Sequence, residues 1–368
     1  MYLRTALVTL LTVALLGWFL HQANLSEVWQ HVRSARVDLL VLSFVFVVAT
    51  YWTRTIRWQY LLAPIGPTTF RNVFRTTVLG FAALALLPAR VGDVIRPYLL
   101  ARQEGLATSA TIATVVMERV LDLIAVLALL AIYVWGFSGP GELPASFLRP
   151  IEVSAAIAAA IAVGLLVLMW ILATHPERIG RLVTVAAGVL PGKISQQLGQ
   201  LVSVFSGGFA AAREPRAMVM AIVWSFAVWL TIAGEAWAVT VAFGIPMPFE
   251  GTFLLQSLLV IGVAVPTPGG VGSYHAAYRW GVTTFFGAQN DQAVAGAIVT
   301  HAISFVPVVL LGLIIMAQDG LSVGRLKDIA GAARDTHDPG TSSGAPPESP
   351  SHPEGRPREV SVLRSSRR

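Results

Sequence analysis

The chain has 368 residues, 55% of them hydrophobic and 12% charged, with a mean hydropathy of +0.68. A soluble domain carries about 25% charged residues, so the composition excludes an ordinary soluble protein and points to a polytopic membrane protein. The formal net charge is +6, and the absence of cysteine rules out disulfides, zinc–thiolate centres and thiol nucleophiles.

Only Lys193 and Lys327 among the basic residues are lysines. Arginine suits bidentate phosphate recognition, although a genome biased towards Arg and Ala gives the same composition. Apolar runs of about 17–25 residues, the length that crosses a hydrocarbon core, recur along the chain. Residues 5–21 read as a first span, kept as a mature helix because no small-x-small cleavage site follows. Residues 24–36 read as a short interfacial helix, closing a first unit over 1–37. A second span, 38–62, ends in Arg54, Arg57, Trp58 and Tyr60. The hydrophobic piece 70–87 runs into a break, Leu87-Pro88-Ala89-Arg90-Val91-Gly92-Asp93, and 91–104 leaves it. The span 109–136 carries Glu118, Arg119 and Asp122 and ends a unit covering 38–136.

A connecting span at 151–173 lies within 137–173. In the polar stretch 174–215, Ile194, Leu198, Leu201, Val202, Phe205 and Phe209 recur at helical spacing, which predicts an amphipathic helix on the membrane surface. The unit 216–318 holds spans at 216–243 and 289–318. Between them 251–265 and 271–287 flank a second break, Pro266 to Ser273. From 319 the chain passes into a Pro/Ser/Gly/Arg tail expected to be disordered.

Irregular backbone inside a bilayer survives only where protein buries it or where it lines a wet cavity. The two breaks are therefore expected to be re-entrant hairpins. They echo each other 180 residues apart, with Pro88, Val91, Gly92 and Tyr98 matched by Pro268, Val271, Gly272 and Tyr278. The spans 38–62 and 216–243 share that offset, the signature of an inverted-topology repeat. The expected fold is all-α, with six full transmembrane helices and two hairpins. Basic residues concentrated in 174–215 and after 318 belong in the cytoplasm, which puts both termini there. Arg33 and Arg36 fall outside, against the rule.

Ionisable groups at membrane depth usually face a cavity or each other. Arg90, Asp93 and Arg96 at the first break fit an anion site, and equally an internal Arg–Asp fastener. Glu118 and Asp122 share a helix face, suiting either a salt-bridged gate or permanent neutralisation of the hairpin arginines. Arg54 and Arg57 read as snorkelling anchors in an aromatic belt, with headgroup contact as the sharper alternative. Pro268, Gly269, Gly270 and Gly272 allow close backbone approach and offer free N–H groups to an anion. His275, Arg279 and His301 lie nearby, and Glu235 is an intramembrane acid for which no partner can be named.

Four of these stretches, Arg54-x-x-Arg57-Trp58, Pro88-Ala89-Arg90-x-Gly92-Asp93-x-x-Arg96, Glu118-Arg119-x-x-Asp122-Leu123 and Pro268-Gly269-Gly270-x-Gly272, occur in an order that resembles the lysylphosphatidylglycerol synthase transmembrane (flippase-like) family over residues 5–320. The resemblance implies a bacterial inner-membrane protein that moves a lipid between leaflets. No aminoacyl-transferase domain follows the last span, so this chain is expected not to synthesise the lipid. The family often has an acid where this chain has His275, which argues against a lysyl headgroup.

The expected substrate is a phospholipid or polyprenyl-phosphate lipid, with Arg90 and Arg96 on its phosphate. Asp93, Glu118 and Asp122 would be switchable partners, and the glycine break the opposing gate. Neither a cofactor, a metal nor a nucleic acid is expected. The rival readings are an intramembrane transferase or phosphatase, and an accessory subunit for a glycosyltransferase or lipid synthase.

Overall fold

The structure, a computed structural model, describes residues 2–21, 23–87, 91–137, 214–265 and 267–321, with scattered helical positions between 153 and 171 and at 324. Arg90, the amphipathic segment at 193–212, the C-terminal tail and about half of the 151–173 span lie outside the described residues. Within them the chain is all-helical. The helices are α1 (Tyr2–His21), α2 (Leu25–Ser34), α3 (Val37–Leu62), α4 (Phe70–Leu86), α5 (Gly92–Glu104) and α6 (Thr108–Ile132). A π-helical turn extends α6 over Tyr133–Phe137. After the connecting region come α7 (Pro215–Ala242), α8 (Gly251–Ala264), α9 (Ser273–Phe285) and α10 (Asn290–Gln318). Among the described residues α3, α7 and α10 are long and apolar enough to cross a bilayer, so this is a membrane protein.

Local chemistry sets the helix ends. Asn24 caps α2 by accepting from the Ser26 N–H. Pro215 starts α7, where its missing N–H costs nothing. Gly105, at φ +68°, ends α5 in the left-handed conformation that favours glycine. Glu104, the last residue of α5, accepts from the backbone and side chain of Thr69 and from Asn72. It thereby ties the far end of α5 to the start of α4. Burial pushes this carboxyl upward, but the three bonds outweigh it and hold the group below its usual range.

α4 and α5 fold back on each other about the first break. A Cβ on Gly80 would meet Arg96, and one on Gly92 would meet Gly80 and Leu84. Positions therefore pair as 80 with 96 and 84 with 92, an antiparallel hairpin centred on residue 88. α8 and α9 pair the same way: Gly262 faces Ser273 and Ala277, Gly281 faces Leu255 and Leu258, and Gly251 faces Phe286. This second hairpin turns at Pro268–Gly270, where Gly269 at φ +60° supplies a backbone conformation costly to other residues.

The two tips meet. Gly269 sits against the Ala85 carbonyl at the end of α4, and α10 lies along α4 with Gly312 facing Val78 and Ala82.

α3 and α7 are the most extensively packed pair. Phe46 faces Gly234, the Thr50 and Thr231 hydroxyls are 2.9 Å apart, and Arg57 reaches Ser225. Numbers rise on one helix as they fall on the other, so the two run antiparallel and cross at Thr50 and Thr231. Adding 181 to the bounds of α3, α4, α5 and α6 gives 218–243, 251–267, 273–285 and 289–313. These overlie α7, α8, α9 and α10, with α9 matched at both ends.

Candidate functional site

Four arginines and three carboxylates from α3, α5 and α6 converge where the first hairpin meets α7. At the centre is Glu118, fully buried, which accepts from Arg96 Nη1 at 2.9 Å and Nη2 at 3.0 Å in a bidentate pair. Arg57 Nη2 is 2.9 Å from the same Oε1, and Arg57 Nη1 donates to Asp122 Oδ1 at 2.5 Å and to Ser225 at 3.3 Å. The Trp229 indole N–H donates to Asp122 Oδ1 at 3.1 Å. Arg96 also stacks over the Trp58 ring at 3.7 Å, and the Trp58 indole N–H is fixed on Thr114 at 2.9 Å. Each of these charges is held from two or more sides, which is what makes a buried ion pair tolerable.

The helix period produces this arrangement. Arg54, Arg57 and Trp58 fall on one face of α3, and Glu118 and Asp122 on one face of α6. α6 packs against both α3 and α5, so its acids meet arginines from both. Arg54 and Arg57 are therefore 9% and 0% exposed and do not snorkel. Their face of α3 is covered by α6 and α7, which leaves no route for their side chains to the interface. Arg96 is likewise 1% exposed and carries Glu118 rather than facing open space.

Burial falls off towards the hairpin tip. Arg119 bridges Asp122 Oδ2 at 3.3 Å and Asp93 Oδ1 at 2.7 Å, and this last pair has side chains 34% and 23% exposed. The cluster thus has a dry end at Arg57–Glu118–Arg96 and an accessible end at Asp93–Arg119, beside the break. The Phe81 ring lies between them, with the guanidiniums of Arg54, Arg119 and Arg96 at 4.6, 5.8 and 5.9 Å from its centroid. Arg54 differs from its neighbours. It has no carboxylate within ion-pair distance among the described residues; its buried Nη1 has no hydrogen-bond partner, a feature shared by the Nε atoms of Arg57, Arg96 and Arg119. Among the described residues, four guanidiniums against three carboxylates leave one positive charge of the cluster uncompensated.

The second break is built differently. His275 Nδ1 accepts from the Gly272 N–H at 3.3 Å, His301 Nε2 lies 2.8 Å from the Gly269 carbonyl, and the two rings are 4.6 Å apart. His301 stacks on Phe305, and Tyr274 meets both imidazoles edge-on. α1 crosses this face, with Leu15 against Gly272 and Phe19 against His275. Arg279 Nη1 donates to the Phe19 carbonyl at 3.3 Å. Glu235 on α7 accepts from Ser304 on α10 at 2.5 Å. Sequence reasoning left Glu235 without a partner because a serine on a distant apolar helix gives no signal in one dimension.

The structure thus gathers Arg54, Arg57, Asp93, Arg96, Glu118, Arg119 and Asp122 into one cluster. It places Gly269, Gly270, Gly272, His275 and His301 at the other hairpin tip. The Pro268 backbone opens that turn, and Arg90 lies outside the described residues. Trp58 and Trp229, which orient charges here, were missed as site residues. Their one legible trace was Trp58 beside Arg57.

A family model described as "Lysylphosphatidylglycerol synthase TM region" matches residues 4–312. Glycosyltransferase AglD of Haloferax volcanii is 24% identical over 327 residues, covering 81% of this chain and 51% of that protein. The chain thus spans about half the length of the curated relative it matches.

Proposed function

The chain belongs to the lysylphosphatidylglycerol synthase TM region family, and from that membership together with the geometry above we propose that it moves a lipid with a phosphate headgroup between leaflets of the bacterial inner membrane. The observation that carries this reading is the uncompensated charge at Arg54. A buried guanidinium without a counter-ion is costly in a medium of low dielectric, so a cluster retained with one surplus cation is matched to an anion that comes and goes. A phosphate seated over Phe81, between Arg54 and the accessible Arg119, supplies that anion. Arg90, three positions before Asp93 in the sequence, would be a further donor. Arg57, Arg96, Glu118 and Asp122 are then the rigid frame, and the Asp93–Arg119 bridge is the partner that opens.

The shared offset of 181, the two antiparallel hairpins and the crossing of α3 with α7 at equivalent positions support an inverted-topology repeat. Six full spans and two re-entrant hairpins enter from opposite faces, and both termini are cytoplasmic. In this frame Pro268, Gly269, Gly270, Gly272, His275 and His301 form the gate opposite the anion site.

The test is reconstitution in liposomes with NBD-labelled phosphatidylglycerol, aminoacylated phosphatidylglycerol and polyprenyl phosphate, scored by dithionite quenching. Exchange of a phosphate lipid by the wild type and its loss in Arg54→Ala are expected. An inert wild type across the panel removes the reading. The match to half of a protein described as a glycosyltransferase favours a second reading, in which this chain is the membrane partner of an enzyme acting on polyprenyl-phosphate or glycolipid synthesis. Stable co-purification with such an enzyme, without leaflet exchange, selects it.

A further inference from the structure

Resting on the transport reading, we propose that Glu235 is an exchangeable proton site that couples lipid movement to proton movement, served from the second hairpin tip by His275 and His301. Glu235 is 6% exposed, and among the described residues no arginine or lysine pairs with it. Its recorded bond is the one from Ser304. An ionised carboxylate in that position would be desolvated by several kcal/mol and repaid by one neutral hydroxyl, so the resting group holds a proton.

Nothing in the charged cluster competes for it. From α3, Tyr51 lies near Glu235, with Arg54 one turn further on. Tyr274, His275 and Tyr278 come from α9, and Ser304 and His301 from α10. α8 brings no ionisable side chain. The acid of α6 nearest to α7, Asp122, is already held by Arg57, Arg119 and Trp229.

Polar and aromatic side chains lie between Glu235 and the break. Ser304 touches Glu235, and the Tyr274 hydroxyl adjoins Ser304. The Tyr274 ring packs against His301 with centroids 5.4 Å apart, and His301 adjoins His275 and the Gly269 carbonyl. Uptake forms the carboxyl O–H bond with a proton delivered from water at this break, and release breaks that bond and returns the proton to water. Gly269 also touches the end of α4. The tip that holds His275 is thus in direct contact with the hairpin that carries Asp93.

Two measurements test the proposal on the full-length protein. Infrared difference spectra of purified protein titrated with alkali should show a protonated-carboxyl C=O band that bleaches reversibly while the protein stays folded. The band should be lost in Glu235→Gln and shifted but retained in Ser304→Ala, with thermal stability recorded for each. In liposomes, a one-unit pH gradient should skew the distribution of NBD-phosphatidylglycerol about tenfold for the wild type, as one coupled proton requires, and leave Glu235→Gln unskewed. A Glu235 that never ionises before unfolding, or is already ionised at neutral pH, overturns the site. A wild type whose distribution ignores the gradient while exchanging lipid overturns the coupling. No exchange by the wild type overturns the transport function instead, and the titration then decides the proton site by itself.

Discussion

Replacing Arg54 with alanine and replacing Glu118 with alanine should have opposite consequences. Glu118 accepts two bonds from Arg96 and a close approach from Arg57, and all three side chains are at most 2% exposed. Without it Arg57 keeps Asp122, but Arg96 keeps only the Trp58 and Phe81 rings. Stranding a buried charge in this way costs about 3–5 kcal/mol, against a total stability of roughly 5–15 kcal/mol. Glu118→Ala should therefore be scarce in membranes and melt early. Arg54→Ala strands no acid. It forfeits the contact with Phe81, worth about 0.5–2 kcal/mol, and relieves repulsion from Arg57 and Arg119, set against the loss of attraction to Asp122.

The Arg54→Ala protein should thus reach near-normal abundance yet fail to move phosphate lipid. The double variant Arg96→Met/Glu118→Leu, which removes a pair and leaves Arg57 on Asp122, should recover much of the stability lost in Glu118→Ala. Membrane abundance, tryptophan-monitored unfolding and leaflet exchange per folded molecule are the measurements. If Arg54→Ala collapses like Glu118→Ala while its folded fraction still exchanges lipid normally, the distinction between frame and anion site is wrong.

Other outcomes follow from the packing. In Gly92→Ala the new methyl would overlap the Gly80 carbonyl and Leu84; such overpacking costs roughly 1–3 kcal/mol, so unfolding should begin at a lower temperature and proteolysis near residue 88 should increase. The chain has no cysteine, so Thr50→Cys/Thr231→Cys can be oxidised cleanly; internal cross-linking without dimer is expected, and failure to cross-link would contradict the α3–α7 crossing. Glu104→Ala should cost roughly 1–3 kcal/mol by removing charge-assisted bonds at the hairpin mouth. Because the folded Glu104 carboxyl sits below its unfolded value, its contribution is present above the ordinary carboxylate range and is lost as pH falls through the lowered folded value. The wild-type advantage over Glu104→Ala should shrink on acidification, and an advantage that grows would reverse that assignment.

The helices were legible because each apolar run is bounded by glycine, proline or charge. The expected break between 87 and 91 lies between helices ending at Leu86 and starting at Gly92. The candidate residues were legible for the same reason: charge in an apolar run is conspicuous. What one dimension withheld was pairing. Nothing in Arg54-x-x-Arg57 says that one arginine binds two acids while its neighbour one turn away binds none. That difference comes from α6 lying over Arg57, a property of the packing of three helices. Snorkelling was the natural expectation for arginines near a helix end, but it presumes a lipid-facing side chain, and that face of α3 meets protein. The Glu235–Ser304 bond was hidden likewise, since it joins residues 69 positions apart on two helices.

Pro97 lies inside α5, immediately after Arg96. Having no N–H, it leaves the Asp93 carbonyl without its helical donor, so one hydrogen bond joining the first turn of α5 to the rest is missing, while the Ile95 N–H still reaches the Val91 carbonyl. Arg96, at the end of the first turn, is anchored on Glu118, while Asp93 at its start carries the bridge to Arg119. Bending stiffness along α5 is therefore lowest between a fixed charge and a releasable one. A force applied at Asp93 is taken up first within this one weakened turn, before it reaches the Arg96–Glu118 anchorage.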